Sequence, residues 1–175
     1  MRDQRAQGAT WWHGNPTRAA AFHDPTPGLE GLWLADRVQA ALWYATHPAS
    51  GTGELLGVQA TGPFPALRDP AVLRRLCEQA GLDSREVRRD HERGTLYLTH
   101  QPALCQAAQR EYPGLLLRDD TCGAHVSLVV WDDRRVPVTG RYAFTPGRVT
   151  TTFSSPMPGT RAAGDCGSAG SAPGG

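Results

Sequence analysis

Gly31-Leu32-Trp33-Leu34-Ala35-Asp36, running on through Arg37 to Ala45, is the stretch from which the fold is read. Gly31 to Ala35 is a short apolar run closed by an aspartate, the pattern of a buried strand. Beyond it Val38, Ala41, Leu42 and Ala45 recur at helical spacing, and Asp36 stands where it can cap that helix. His47-Pro48 ends the helix, because the residue before a proline avoids helical dihedrals. A strand followed at once by an amphipathic helix is the unit on which the rest is built.

Working outward, the apolar run Ala9 to His13 meets Gly14-Asn15-Pro16 and reads as a strand entering a turn. Glu54 to Thr61 is strand-like and is stopped by Gly62-Pro63. Asp69-Pro70 opens a helix that Gly81 closes, with Val72, Leu73, Leu76, Cys77 and Ala80 on one stripe. A polar helix is expected from Asp83 to about Arg93, with Asp83 and Glu86 as a capping box. A third should run from Pro102 to about Glu111. Leu115 to Leu117, His125 to Trp131 and Val136 to Phe144 read as strands. Strands separated by helices, with a hairpin-like end, predict an α+β domain over 1–146. From 147 to 175 the chain turns to Thr, Ser, Gly, Ala and Pro, which cannot bury enough surface to offset ordering entropy, so a disordered tail is expected.

Composition narrows the function classes. The 175 residues suit one domain, and a formal net charge of +1 argues against a broad polyanion-binding face. All 18 basic residues are arginine. Neither G-x-G-x-x-G nor a Walker loop is present, so the usual dinucleotide and phosphate fingerprints are missing. Met1 to Thr10 lacks the apolar core of a signal peptide, and no apolar run reaches the roughly 20 residues that span a bilayer. A cytoplasmic monomer without membrane partners is expected. Cys77, Cys105, Cys122 and Cys166 form no C-x-x-C, so neither zinc nor a disulfide framework is expected. They read as two helix-core thiols, a loop thiol and a tail thiol. The charge-dense stretch Arg85 to Arg93 mixes signs and reads as a solvated helix face.

Three segments, taken in order, resemble the ADP-ribosyltransferase superfamily in its poly(ADP-ribose) polymerase-like branch. Trp11-Trp12-His13-Gly14 is similar to the family's first motif, an aromatic pair followed by His-Gly at the end of a core strand. Gly31-Leu32-Trp33-Leu34-Ala35-Asp36, then Ala41 and Tyr44-Ala45, is similar to the second, with Trp33 at the position of a stacking tyrosine. The third spans Tyr112 to Leu117, Asp119-Asp120 and Ser127-Leu128-Val129-Val130-Trp131-Asp132. The resemblance implies split mixed or antiparallel sheets with flanking helices around an NAD cleft. It implies NAD as substrate, held by His13, Gly14, Trp33, Ala41 and Tyr44, with nicotinamide released and ADP-ribose passed to an acceptor that the sequence does not identify. Gly14 would leave its backbone open to a flat ligand.

The departure lies at position 127, where the family carries its catalytic glutamate and this chain carries serine. In an extended strand His125, Ser127, Val129 and Trp131 share a face, while Asp132 points away with Val126, Leu128 and Val130. Removing a charge-stabilising group typically costs about 3–4 kcal/mol of barrier. The candidate catalytic set is therefore Ser127, His125 and one of the two neighbouring carboxylates, Asp119 or Asp120. Two alternatives stand beside turnover. One is a pseudoenzyme that binds NAD or a related nucleotide. The other is the tRNA 2′-phosphotransferase-like branch, for which Arg18, His23 and Arg37 would gather round a phosphate.

Overall fold

The computed structural model describes residues 9–15, 29–46, 53–96, 99–120, 123–145 and 148–152. Its strands are β1 (Thr10–Asn15), β2 (Leu32–Ala35), β3 (Gly53–Gln59), β4 (Gly114–Asp119), β5 (His125–Val130), β6 (Val138–Thr145) and β7 (Arg148–Thr152). They form one sheet in the order β4-β5-β2-β1-β3-β6-β7, and every pairing between neighbours is antiparallel. Among the described residues four α-helices accompany it: α1 (Val38–Thr46), α2 (Pro70–Ala80), α3 (Ser84–Arg93) and α4 (Gln101–Gln109). The domain is α+β, as the alternation of strands and helices predicts.

Two expectations about the sheet are corrected. The sheet is continuous rather than split in two, because β2 pairs on one side with β5 and on the other with β1. The second junction is narrow: β1 and β2 share the single register pair Trp12↔Ala35, whereas β1 and β3 pair over six positions from Thr10↔Gln59 to Asn15↔Glu54. Residues 148–152, assigned by composition to the tail, form β7 along β6. Four of the five residues in Arg148-Val149-Thr150-Thr151-Thr152 are β-branched, and that preference outweighs their neighbourhood. Pro16, Arg18, His23, His47, Pro48, Cys122, Cys166 and the tail from 153 lie outside the described residues.

Period-two alternation sorts the strands onto two faces. One face buries Trp11, Leu32, Leu34, Leu56, Val58, Leu116, Leu128 and Val130 under Phe64, Ala66 and Val136 from the connecting segments. The other face carries the helices in two patches. Over β1 and β3, α1 packs Ala40, Ala41 and Ala45 on Ala35 and Leu55. Over β4 and β5, the helices α2 to α4 pack Leu73, Leu76, Cys77, Val87, Leu104 and Cys105 around Leu115, Leu117 and Val129. Trp33, also on β2, leans on this second patch.

The helices over β4 and β5 follow local rules. Asp69 accepts from the Ala71 N–H at 2.9 Å and Pro70 takes the first helical position of α2, while Gly81 (φ 66°) closes it. Asp83 likewise accepts from the Arg85 N–H at 2.7 Å to start α3. The α1 cap is a correction. Asp36 turns its carboxylate to the Val126 N–H of β5, at 3.0 Å, instead of to the helix. Its own N–H donates to the Val126 carbonyl, so Asp36 extends the β2–β5 ladder.

Cys77 and Cys105 are buried free thiols in this helical layer. Burial, with nearby Asp83 and Glu78, raises the Cys77 pKa, and burial pushes Cys105 up to about 12. Among the described residues no helix is long and apolar enough to cross a membrane.

Candidate functional site

Antiparallel register puts Asp119 of β4 opposite His125 of β5, and Leu117 opposite Ser127. Cross-strand partners share a face, so Asp119, His125 and Ser127 emerge together on the helical side of the sheet. Their exposures are 5%, 4% and 4%. Ser127 Oγ lies 3.3 Å from Asp119 Oδ2 and 3.1 Å from His125 Nε2. His125 Nε2 is itself 3.9 Å from the same carboxylate oxygen. From across the face Tyr44, on α1, donates its hydroxyl to Asp119 Oδ2 at 3.5 Å. Residues far apart in the chain thus converge on one buried carboxylate, and that convergence links α1 to the β4–β5 half of the sheet.

The hydrogens of this cluster can be placed by asking which partners are able to donate. The Gly123 carbonyl only accepts, so His125 Nδ1, 2.8 Å away, carries a hydrogen. In the neutral imidazole Nε2 is then an acceptor, and the Ser127 hydroxyl proton goes to it. When Nε2 is also protonated it donates to Ser127 Oγ, and the serine proton passes to Asp119 instead. Ser127 Oγ thus bridges the imidazole and the carboxyl group.

The two acidic candidates separate here. Asp119 is the last residue of β4 and faces the cluster. Asp120 faces away and forms a two-point pair with Arg118, at 3.2 Å from Nε and 2.8 Å from Nη2. A side chain on Gly94 would overlap the Asp120 carboxyl group, so this contact fixes the close of α3. Asp120 is an anchoring residue and sits outside the Asp119–His125–Ser127 cluster.

The proposed NAD-binding residues occupy the junction between β1 and β2. Where the two strands part, His13 Nδ1 bonds the Trp33 carbonyl at 2.8 Å, standing in for a ladder hydrogen bond. Trp33 is half-buried, and its indole N–H donates to the Leu29 carbonyl at 2.8 Å. Trp131 does the same to the Glu30 carbonyl at 2.6 Å. Gly31 (φ 142°) lies beneath that second tether, where a Cβ would press on Val129 and on the Trp131 ring. Tyr44 meets Trp43 edge-on, with ring centroids 5.1 Å apart.

Gly14 and Ala41 receive a different explanation from the expected one. A Cβ on Gly14 would overlap the Ala41 carbonyl oxygen and crowd the Ala45 nitrogen. The glycine therefore lets α1 lie directly on β1, and the space beside it is filled by helix backbone. Ala41 is 1% exposed inside that contact and is a packing residue. Sequence reasoning missed this pairing, although a small residue in each element at the crossing was the signal that could have revealed it.

Among the described residues no three His, Cys, Asp or Glu side chains form a metal-binding group. Compared with protein-family models, with curated proteins and with solved structures, the chain matches none.

Proposed function

We propose that this domain transfers ADP-ribose from NAD, releasing nicotinamide, and that Asp119 supplies the carboxylate which Ser127 lacks. The observation carrying this reading is the 3.3 Å approach of Asp119 Oδ2 to Ser127 Oγ. The position that resembles the family's glutamate is already next to a buried negative group, delivered by the neighbouring strand. Asp119 would favour the positive charge that develops on the ribose as its bond to nicotinamide lengthens. Ser127 and Tyr44 hold that carboxylate in place, and His125 sets which way the serine proton points. His13 and Trp33 would hold the nicotinamide riboside end where β1 and β2 diverge.

Nicotinamide release by the wild type, Asp119→Asn and Ser127→Ala tests this. Asp119→Asn should slow release by about 10²–10³-fold with NAD affinity nearly intact, since it removes a contact made mainly in the transition state. Undiminished release from Asp119→Asn would move the charge elsewhere. A wild type that binds NAD without releasing nicotinamide would leave a nucleotide-binding pseudoenzyme.

The 3.1 Å Ser127–His125 contact supports a second reading, a serine nucleophile with its base. A fluorophosphonate probe distinguishes the two, because covalent capture of Ser127 is expected only of the second.

A further inference from the structure

A cavity of about 430 Å³ opens at the outer edge of β4, with His125 among the residues that line it. Its shape follows from how that edge is covered. Ala66 pairs with Leu116 in a lone bridge, with the Leu67 N–H donating to the Leu116 carbonyl. The chain then turns away at Arg68 into α2. Two residues further along β4 the Arg118 N–H donates instead to His91 Nε2 of α3, at 3.1 Å. Between the departing segment and the arriving helix the edge is left open.

The polar wall of this cavity is mainly cationic. Arg37 comes from the β2–α1 junction, Arg68 from the turn before α2 and Arg118 from β4 itself. Two carboxylates line it as well, Asp36 and Glu92. Asp36 is engaged, since its Oδ1 accepts from the Val126 N–H at 3.0 Å. Arg118 is steered into place by Asp120 and by the Glu92 main-chain carbonyl, 2.7 Å from Nη1. His91 senses the field: burial first, then Arg118 and Arg68, hold it below the ordinary histidine range. A volume of this order accepts a small organic ligand. A formal net charge of +1 gives little bulk attraction for a long polyanion.

We propose that this cavity binds the phosphate of a nucleoside monophosphate and that this phosphate is the acceptor of the transfer. The inference rests on the ADP-ribosyl reading above, and it names the substrate class that the reading leaves open. The chemistry suits the cluster. A phosphate dianion attacks C1′ of the nicotinamide ribose with an oxygen lone pair, forming an O–C1′ bond. The C1′–N bond breaks, its electron pair returns to the pyridine ring, and neutral nicotinamide leaves. No proton is transferred. The guanidinium groups hold the phosphate by charge-assisted hydrogen bonds.

Calorimetric titration with AMP in the absence of NAD tests the cavity alone. Saturable binding is expected, weakened about tenfold or more in Arg37→Ala and Arg68→Ala. Arg89→Ala, on the outer face of α3, should bind like wild type. Incubation with NAD and AMP, followed by mass spectrometry, should then reveal the ADP-ribosyl phosphodiester. A 5′-phosphorylated oligonucleotide and its dephosphorylated form separate a nucleic-acid end from a free nucleotide. Absence of binding to AMP and inorganic phosphate overturns the proposal, whatever the NAD activity. AMP binding with NAD hydrolysed but no phosphodiester formed overturns the acceptor role and leaves the parent reading standing. AMP binding with no nicotinamide released under any condition supports the cavity and overturns the parent reading. Preferential modification of the phosphorylated oligonucleotide overturns the mononucleotide assignment.

Discussion

Position 127 shows how a single side chain is judged by its surroundings. From the strand alone, a glutamate there would simply restore a missing charge. In the structure Ser127 Oγ is 3.3 Å from Asp119 Oδ2 and both residues are buried. Two carboxylates so close cannot both ionise without penalty. Ser127→Glu should therefore lose about 2–3 kcal/mol, lowering Tm by roughly 5–10 °C, and should not raise nicotinamide release. Adding Asp119→Asn to Ser127→Glu should restore much of the loss. Thermal melts of the two variants and the wild type check this, and a Ser127→Glu protein as stable as wild type would contradict it. The members of the cluster were legible in the sequence, but the choice between Asp119 and Asp120 was not. Successive strand residues face opposite ways, so the answer depended on where β4 ends, and pairing with His125 extends it through Asp119.

Among the elements, α3 is the one whose attachment can be followed by pH. The His91 ring closes the gap between the helix and the open edge of β4 by accepting the Arg118 N–H. Burial and the nearby Arg118 and Arg68 lower its pKa in the folded protein, so the unfolded chain binds the proton more readily. The stability this contributes is fully present above the ordinary histidine value of about 6.5 and is lost as pH falls from there through the folded-state value. His91→Gln retains an acceptor and cannot titrate, so denaturant midpoints between pH 5 and 7 should flatten relative to wild type. His91→Leu leaves the Arg118 N–H without its partner and should cost about 1–3 kcal/mol even at pH 7.5. Identical pH slopes for wild type and His91→Gln would contradict this account. The bounds of α2 and the start of α3 were legible because their caps are local, an aspartate before each helix and, for α2, a glycine after. The Asp36 cap misled because a strand distant in sequence competes for the same carboxylate, and no local pattern reveals that competitor.

At the scale of the molecule, the sheet is two well-paired halves joined at Trp12↔Ala35, with His13 bonded to the Trp33 carbonyl just beyond. His13→Ala should cost about 1 kcal/mol, or 2–4 °C in Tm. Hydrogen exchange should quicken chiefly at the β1 and β2 amides, with the β3–β6 and β4–β5 ladders unchanged. Uniformly faster exchange would instead mean that the junction is no weaker than the rest. The α+β class was legible from alternating periodicities. The single sheet and β7 were not, because strand adjacency is set by contacts distant in sequence, which composition does not record.

The two buried thiols give the helical layer a clock of its own. Cys77 and Cys105 sit beneath α2 and α4, each with its pKa raised by burial, so a maleimide can reach them only while that layer stands open. With Cys122 and Cys166 replaced by serine, the rate of thiol labelling would time the opening of the helices over β4 and β5. Exchange at the β1–β2 junction times the other event, and a ligand that slows one without the other would show which half of the sheet it grips.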